Sequence, residues 1–218
     1  GMKRDHGVGY VTLEYKIDGL GLALIYRDGV LCDAVTRGKD NVGDSVWENA
    51  LRVKGIPRSI AKPGLNEIRG EVVWMMDDFD RYCDRMQELG KKAPSNPRNG
   101  AAGILKSHSP DAVESAGLSF IAYTYARGSS NGTQNADLEE IASMGFTVED
   151  HSVVDAGDIE KTAEAMRAKR YSLPFPIDGV VIKVDDKSLY GDIGSTGKSP
   201  NYYRAYKFPP EEKETTVT

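Results

Sequence analysis

The chain opens in period two. Across residues 9–18, apolar Val11, Leu13, Tyr15 and Ile17 alternate with polar Thr12, Glu14, Lys16 and Asp18, which predicts a strand with one apolar and one polar face. Residues 20–26 and 30–36 read as strands flanking Arg27-Asp28-Gly29, whose Asp-Gly pair signals a hairpin. A short helix is expected over 45–53 and a strand over 66–74. Asp77 stands where it can cap a helix with Phe79, Tyr82, Cys83, Met86 and Leu89 on one face and Gly90 at its end. Small residues over 99–106 predict a short helix, 118–125 a strand, and the polar stretch 128–135 a surface loop. Asp137 with Glu140 has the form of a capping box for a helix that stops at Gly145. Asp158 caps another, with Ile159, Ala163 and Met166 on its apolar side, and strands over 177–184 and 202–208 complete the set. Strands outnumber helices without alternating regularly with them, so the expected fold class is α+β with mainly antiparallel sheets flanked by helices. No repeat or linker-like segment divides residues 1–218, and 218 residues suffice for one core or one domain of two lobes.

Charge constrains partners. A net charge of -5 and a sequence pI near 5.3 argue against bulk electrostatic capture of nucleic acid, which needs clustered Lys and Arg. The two cysteines, Cys32 and Cys83, form no CxxC pair, so neither a disulfide framework nor a cysteine zinc site is expected. No apolar run is long enough to span a bilayer and no signal-peptide pattern opens the chain, which points to a cytoplasmic protein with no membrane partner.

Chemistry concentrates at Glu14-Tyr15-Lys16-Ile17-Asp18-Gly19. Alternation sets Glu14, Lys16 and Asp18 on one face. A solvated sheet face with alternating charge accounts for that much. The chemical alternative is a nucleophilic lysine, which needs a neutral amine and hence desolvation or nearby cations. Gly19 would then allow the backbone close to a nucleotide.

Further segments follow in order: Thr36-Arg37-Gly38, Glu67-Ile68-Arg69-Gly70-Glu71-Val72, residues 177–184 (Ile-Asp-Gly-Val-Val-Ile-Lys-Val), and Ala205-Tyr206-Lys207-Phe208-Pro209. With the K-x-D-G motif around Lys16, these resemble the five ordered motifs of covalent nucleotidyltransferases, the superfamily of DNA ligases, RNA ligases and capping enzymes. The segment Asn96-Pro97-Arg98-Asn99-Gly100-Ala101-Ala102-Gly103, with Pro200 and the Lys-Phe-Pro-x-Glu run from Lys207 to Glu211, resembles the bacterial-type NAD-dependent DNA ligases. The likeness runs from about Val11 to Val217, and the fold it implies is the adenylation domain of those enzymes.

That resemblance implies roles. Lys16 would attack the α-phosphorus of NAD+, release nicotinamide mononucleotide and carry AMP, for transfer to a 5'-phosphate at a nick in double-stranded DNA. Glu14 would accept from the adenine amino group, and its other reading is an exposed strand carboxylate. Asp18 would orient the lysine or hold the ribose, Arg37 would contact ribose or phosphate, and Glu71 would bind ribose hydroxyls. Lys183 and Lys207 would be the cationic pair beside the α-phosphate. Arg98 and Arg170 match positions used near the nucleotide or the nick, and could equally be surface arginines. Asp178 would help bind Mg²⁺, although strict alternation puts it on the face opposite Lys183. An ATP-using ligase or RNA-modifying enzyme, and a nucleotide-binding module without turnover, are the competing readings.

Departures from the pattern bear on DNA contacts more than on chemistry. The turn after Arg37 is Lys39-Asp40-Asn41-Val42-Gly43-Asp44, Lys106 stands where the family tends to have arginine, Pro200-Asn201-Tyr202 replaces Pro-Arg-Trp, and Pro176 replaces an acidic residue. About ten residues precede the first strand and show no helical module for the nicotinamide mononucleotide half. The expected organisation is therefore an adenylation domain alone, lacking that module and the OB, zinc-finger, helix-hairpin-helix and BRCT domains. The remaining ligase domains or a second chain become expected partners, and poor reaction with NAD+ and no unaided nick sealing are expected.

Overall fold

A computed structural model describes residues 7–37, 43–196 and 199–209. The Gly38 to Val42 part of the turn after Arg37, and Glu211, lie outside those residues.

Ten strands and seven α-helices are present among them. Strands β1 (Tyr10–Ile17), β6 (His151–Asp155), β7 (Ile177–Val184) and β10 (Tyr203–Lys207) make one antiparallel sheet, ordered β10-β7-β1-β6. Strands β2 (Leu20–Arg27), β3 (Val30–Thr36), β4 (Leu65–Val73) and β5 (Ser119–Arg127) make a second, ordered β3-β2-β4-β5 and also antiparallel. Two-residue strands β8 (Ser195–Thr196) and β9 (Ser199–Pro200) pair with each other.

The helices are α1 (Trp47–Ala50), α2 (Met76–Glu88), α3 (Pro97–Leu105), α4 (Pro110–Ala116), α5 (Gln134–Ser143), α6 (Ile159–Ala168) and α7 (Tyr190–Ile193). Two apolar cores divide them. Leu22, Leu24 and Tyr26 of β2 pack with Ile68 and Val72 of β4, Phe120 of β5, Trp74, and Ala101 and Leu105 of α3. Val11, Leu13, Tyr15 and Ile17 of β1 pack with Val180 and Val184 of β7 and Ala163 and Met166 of α6. Val73 and Ile121 carry the second sheet into the core of the first.

Period two holds in β1, but its polar face is not solvated. Thr12 is 0% and Glu14 7% exposed, because that face looks inward. Several local expectations change. Helix α2 starts at Met76 after Met75, so Asp77 lies in the first turn instead of capping it. Helix α5 is capped by Thr133, whose Oγ1 accepts from the Ala136 N–H at 3.1 Å, so the polar loop ends earlier than expected. Asp137 is buried instead, taking the Lys187 ammonium at 2.6 Å and the Ser129 hydroxyl. Helix α4 and strand β6 were not anticipated. Ser109 caps α4 ahead of Pro110, a legible signal, whereas β6 is short and partly polar.

Candidate active site

The inward face of β1 becomes a site because its neighbours present chemistry at the same rungs. Thr12 pairs with Lys183, Glu14 with Val181 and Lys16 with Gly179, then the register slips so that Ile17 faces Ile177. Asp178 is the extra residue of that bulge. The slip cancels the strict alternation that would have turned Asp178 away. Its Oδ1 accepts from the Lys16 Nζ at 2.6 Å, with the two side chains 25% and 30% exposed.

Strand β10 extends the rungs. Tyr203 lies opposite Lys183 and Lys207 opposite Gly179. Lys16, Gly179 and Lys207 therefore share one line across the sheet, the two lysine backbones about 10 Å apart. Gly179 brings β10 close, since a Cβ there would stand 2.2 Å from the Tyr206 carbonyl oxygen.

A cavity of about 360 Å³ opens between the two sheets. Glu14, Lys16 and Gly19 line it with Arg37, Glu71, Arg98 and Lys183. Tyr123, Thr124 and Tyr203 also line it and were not anticipated, because an aromatic residue within a strand gives no sign of which cavity it meets.

Lys183, Asp18 and Gly19 each meet protein groups that the sequence did not indicate. Lys183 is 2% exposed, and its Nζ donates to Glu14 Oε2 at 2.8 Å, the Tyr123 carbonyl at 2.7 Å and Thr124 Oγ1 at 3.4 Å. The Tyr123 and Tyr203 ring centroids lie 5.3 and 5.2 Å from that ammonium. Burial lowers the Lys183 pKa from the ordinary lysine value, opposed by the Glu14 charge and hydrogen bond. Lys183 thus belongs with Glu14, and all three of its protons are engaged. Asp18 accepts from Arg98 Nη1 at 2.7 Å and so holds that arginine. Gly19 lines the cleft and is also required by the fold, because a Cβ would stand 2.5 Å from the Val72 carbonyl oxygen of β4.

Four expected residues fall outside the cleft lining: Asp18 and Asp178, which bond to the lining residues Arg98 and Lys16, and Lys207 and Arg170. Lys207 is exposed on β10. Arg170 stacks elsewhere, its guanidinium 5.7 Å from the Tyr171 ring centroid and 5.9 Å from that of Phe208.

Glu71 is the most perturbed carboxyl of the cleft. Burial pushes its pKa to about 7, opposed by Arg98, the Tyr123 hydroxyl, Lys16 and Arg37. Its Oε1 accepts weakly from Tyr123 Oη at 3.4 Å, and its Oε2 is buried with no partner. An acceptor without a donor fits a ligand hydroxyl. Among the described residues no group of three or more His, Cys, Asp or Glu side chains is placed to hold a metal ion. Asp178 could give Mg²⁺ one carboxylate, which fits the ion only if nucleotide phosphates and water complete its shell.

Paired antiparallel sheets around a cleft with this lysine, arginine and carboxylate lining define a nucleotidyltransferase domain of the ligase type. Consistent with that class, the fold matches a structure described as mycobacterial DNA ligase D complexed with ATP and MES, with a TM-score of 0.51 and 14% identity over 93% of this chain and 56% of that one. The chain matches the family model of the NAD-dependent DNA ligase adenylation domain over residues 2–211, and it belongs to that family. It is 38% identical to a DNA ligase of Lactobacillus delbrueckii subsp. bulgaricus and 39% identical to one of Lactobacillus johnsonii, each over 97% of this chain. It spans 32% of the length of both relatives.

Proposed function

We propose that this chain, one adenylation domain of two lobes, takes AMP from NAD+ onto Lys16 for delivery to the 5'-phosphate of a nick in duplex DNA. The observation that carries the reading is Lys16 itself, part-exposed in a cleft lined by Arg37, Glu71 and Arg98. In the reaction an Nζ–phosphorus bond forms, the phosphorus–oxygen bond to nicotinamide mononucleotide breaks, and that mononucleotide leaves with the electron pair. Lysine attacks only after its ammonium gives up a proton to solvent, and Asp178 Oδ1 at 2.6 Å orients the Nζ. Glu14 takes the adenine amino group, with Lys183 beside it at the base end of the cleft. Glu71 takes a ribose hydroxyl on its unpartnered oxygen. Arg98, steadied by Asp18, and Arg37 meet phosphate. Lys207 adds positive charge from the next strand but one, and Arg170 serves DNA outside the cleft. Mg²⁺, when bound through Asp178 and phosphate, would withdraw charge from the phosphate oxygens.

Nicked DNA and further ligase domains, on this chain or another, are the proposed partners, and replication or repair the proposed duty. Among the described residues no helix is long and apolar enough to cross a membrane. Intact-mass and peptide spectra after incubation with NAD+ test the reading. Slow accumulation of one AMP on Lys16, absent in Lys16→Arg, is expected. Labelling from ATP but not NAD+, or on another residue, would overturn it.

A further inference from the structure

Behind Glu14, outside the cleft lining, lies a side chain that the roles above leave unused. Gln134, the first residue of α5, is 1% exposed. Its Nε2 donates to Glu14 Oε1 at 2.9 Å and to the Tyr123 carbonyl at 3.2 Å. Lys183 donates to the other Glu14 oxygen and to the same carbonyl. Each carboxylate oxygen is thus held by a different protein donor, one charged and one neutral.

The amide is itself held in place. The Gln134 N–H donates to the Asp185 carbonyl at 2.8 Å, and the Asn135 N–H to Asp185 Oδ1 at 2.9 Å. Thr12 Oγ1, two residues before Glu14 on β1, donates to that same oxygen at 2.9 Å. Helix α5 packs on β5 of the second sheet, so its first turn ties that sheet to β1 and β7 at the level of Glu14.

We infer that Gln134 is a positioning residue for base selection, fixing Glu14 as a pure acceptor so that the cleft takes 6-amino purines and rejects 6-oxo purines. This rests on the adenylation reading. A carboxylate fixed by donors on both oxygens has only lone pairs left for a ligand, which suit an exocyclic amine and repel a carbonyl oxygen. Without the amide, Glu14 Oε1 loses its protein donor and the carboxylate is free to turn about its hydrogen bond to Lys183, so its lone pairs no longer meet the 6-position of a purine in a fixed direction.

Calorimetric titration of the chain with AMP and with inosine monophosphate tests this in wild type, Gln134→Leu and Gln134→Asn. Wild type prefers AMP, and both variants lose about tenfold of that preference, the worth of one charge-assisted hydrogen bond. A purely structural prop would weaken both nucleotides by the same factor and leave the ratio unchanged, and that result overturns the inference. Loss of folding in both variants, seen by circular dichroism, overturns it equally. Wild type binding neither nucleotide would overturn the adenylation reading instead, and the inference with it.

Discussion

A carboxyl group packed beside Tyr123 with one oxygen unpartnered, as in Glu71, resists ionisation up to about pH 7. Its folded pKa is raised above the unfolded value, so the stability linked to its protonation is fully present below about pH 4.5 and is lost as the pH rises through about 7. Calorimetric melting between those limits should show wild type losing on the order of 2 kcal/mol that Glu71→Gln does not lose. A parallel decline in both proteins would refute the assignment. The Glu14–Lys183 pair gives a second expectation. Lys183→Met leaves a buried carboxylate without its cation and should cost about 3–5 kcal/mol in urea denaturation, part of it recovered in the Glu14→Gln/Lys183→Met double variant. Residue types at the site were readable because motif spacing fixes them. Their partners were not, since the contacts of Lys183 with Tyr123 and of Asp18 with Arg98 join residues 60 and 80 positions apart.

At the scale of elements, backbone contact decides where glycine is indispensable. Gly19→Ala drives a Cβ into the Val72 carbonyl, a backbone atom that cannot step aside, and roughly 2 kcal/mol of stability should be lost. Gly103→Ala in α3 meets nothing within 4 Å and should stabilise by up to about 1 kcal/mol through helix propensity. Equal urea midpoints for the two variants would contradict this. The same scale shows the reach and the limit of periodicity. Alternation and the Asp28-Gly29 turn placed β1, β2 and β3, and β7 falls on 177–184 as read. The β7 bulge left no comparable mark. Alternation counts residues along one strand, whereas a bulge is a mismatch between two, and it is the mismatch that delivers Asp178 to Lys16. Strand β6 went unread because five residues with no clean apolar face carry too little pattern.

For the whole molecule, a net charge of -5 sets the terms with DNA. Fluorescence anisotropy with a nicked duplex at physiological salt should give the chain alone a Kd weaker than about 10 µM and a shallow salt slope, because few counterions are displaced. A steep slope would reveal a basic face strong enough to grip DNA unaided. The two cores meet through Val73 and Ile121, so the sheets that bound the cleft share packing as well as polar contacts. One wall of that cleft comes late in the chain, since Tyr203, which covers Lys183, belongs to β10. During synthesis the ribosome therefore releases every other strand before this cover can form, and a nucleotide finds its berth only once the closing strand has emerged. A nascent polypeptide stalled short of Tyr203 would leave Lys183 open to water on one side.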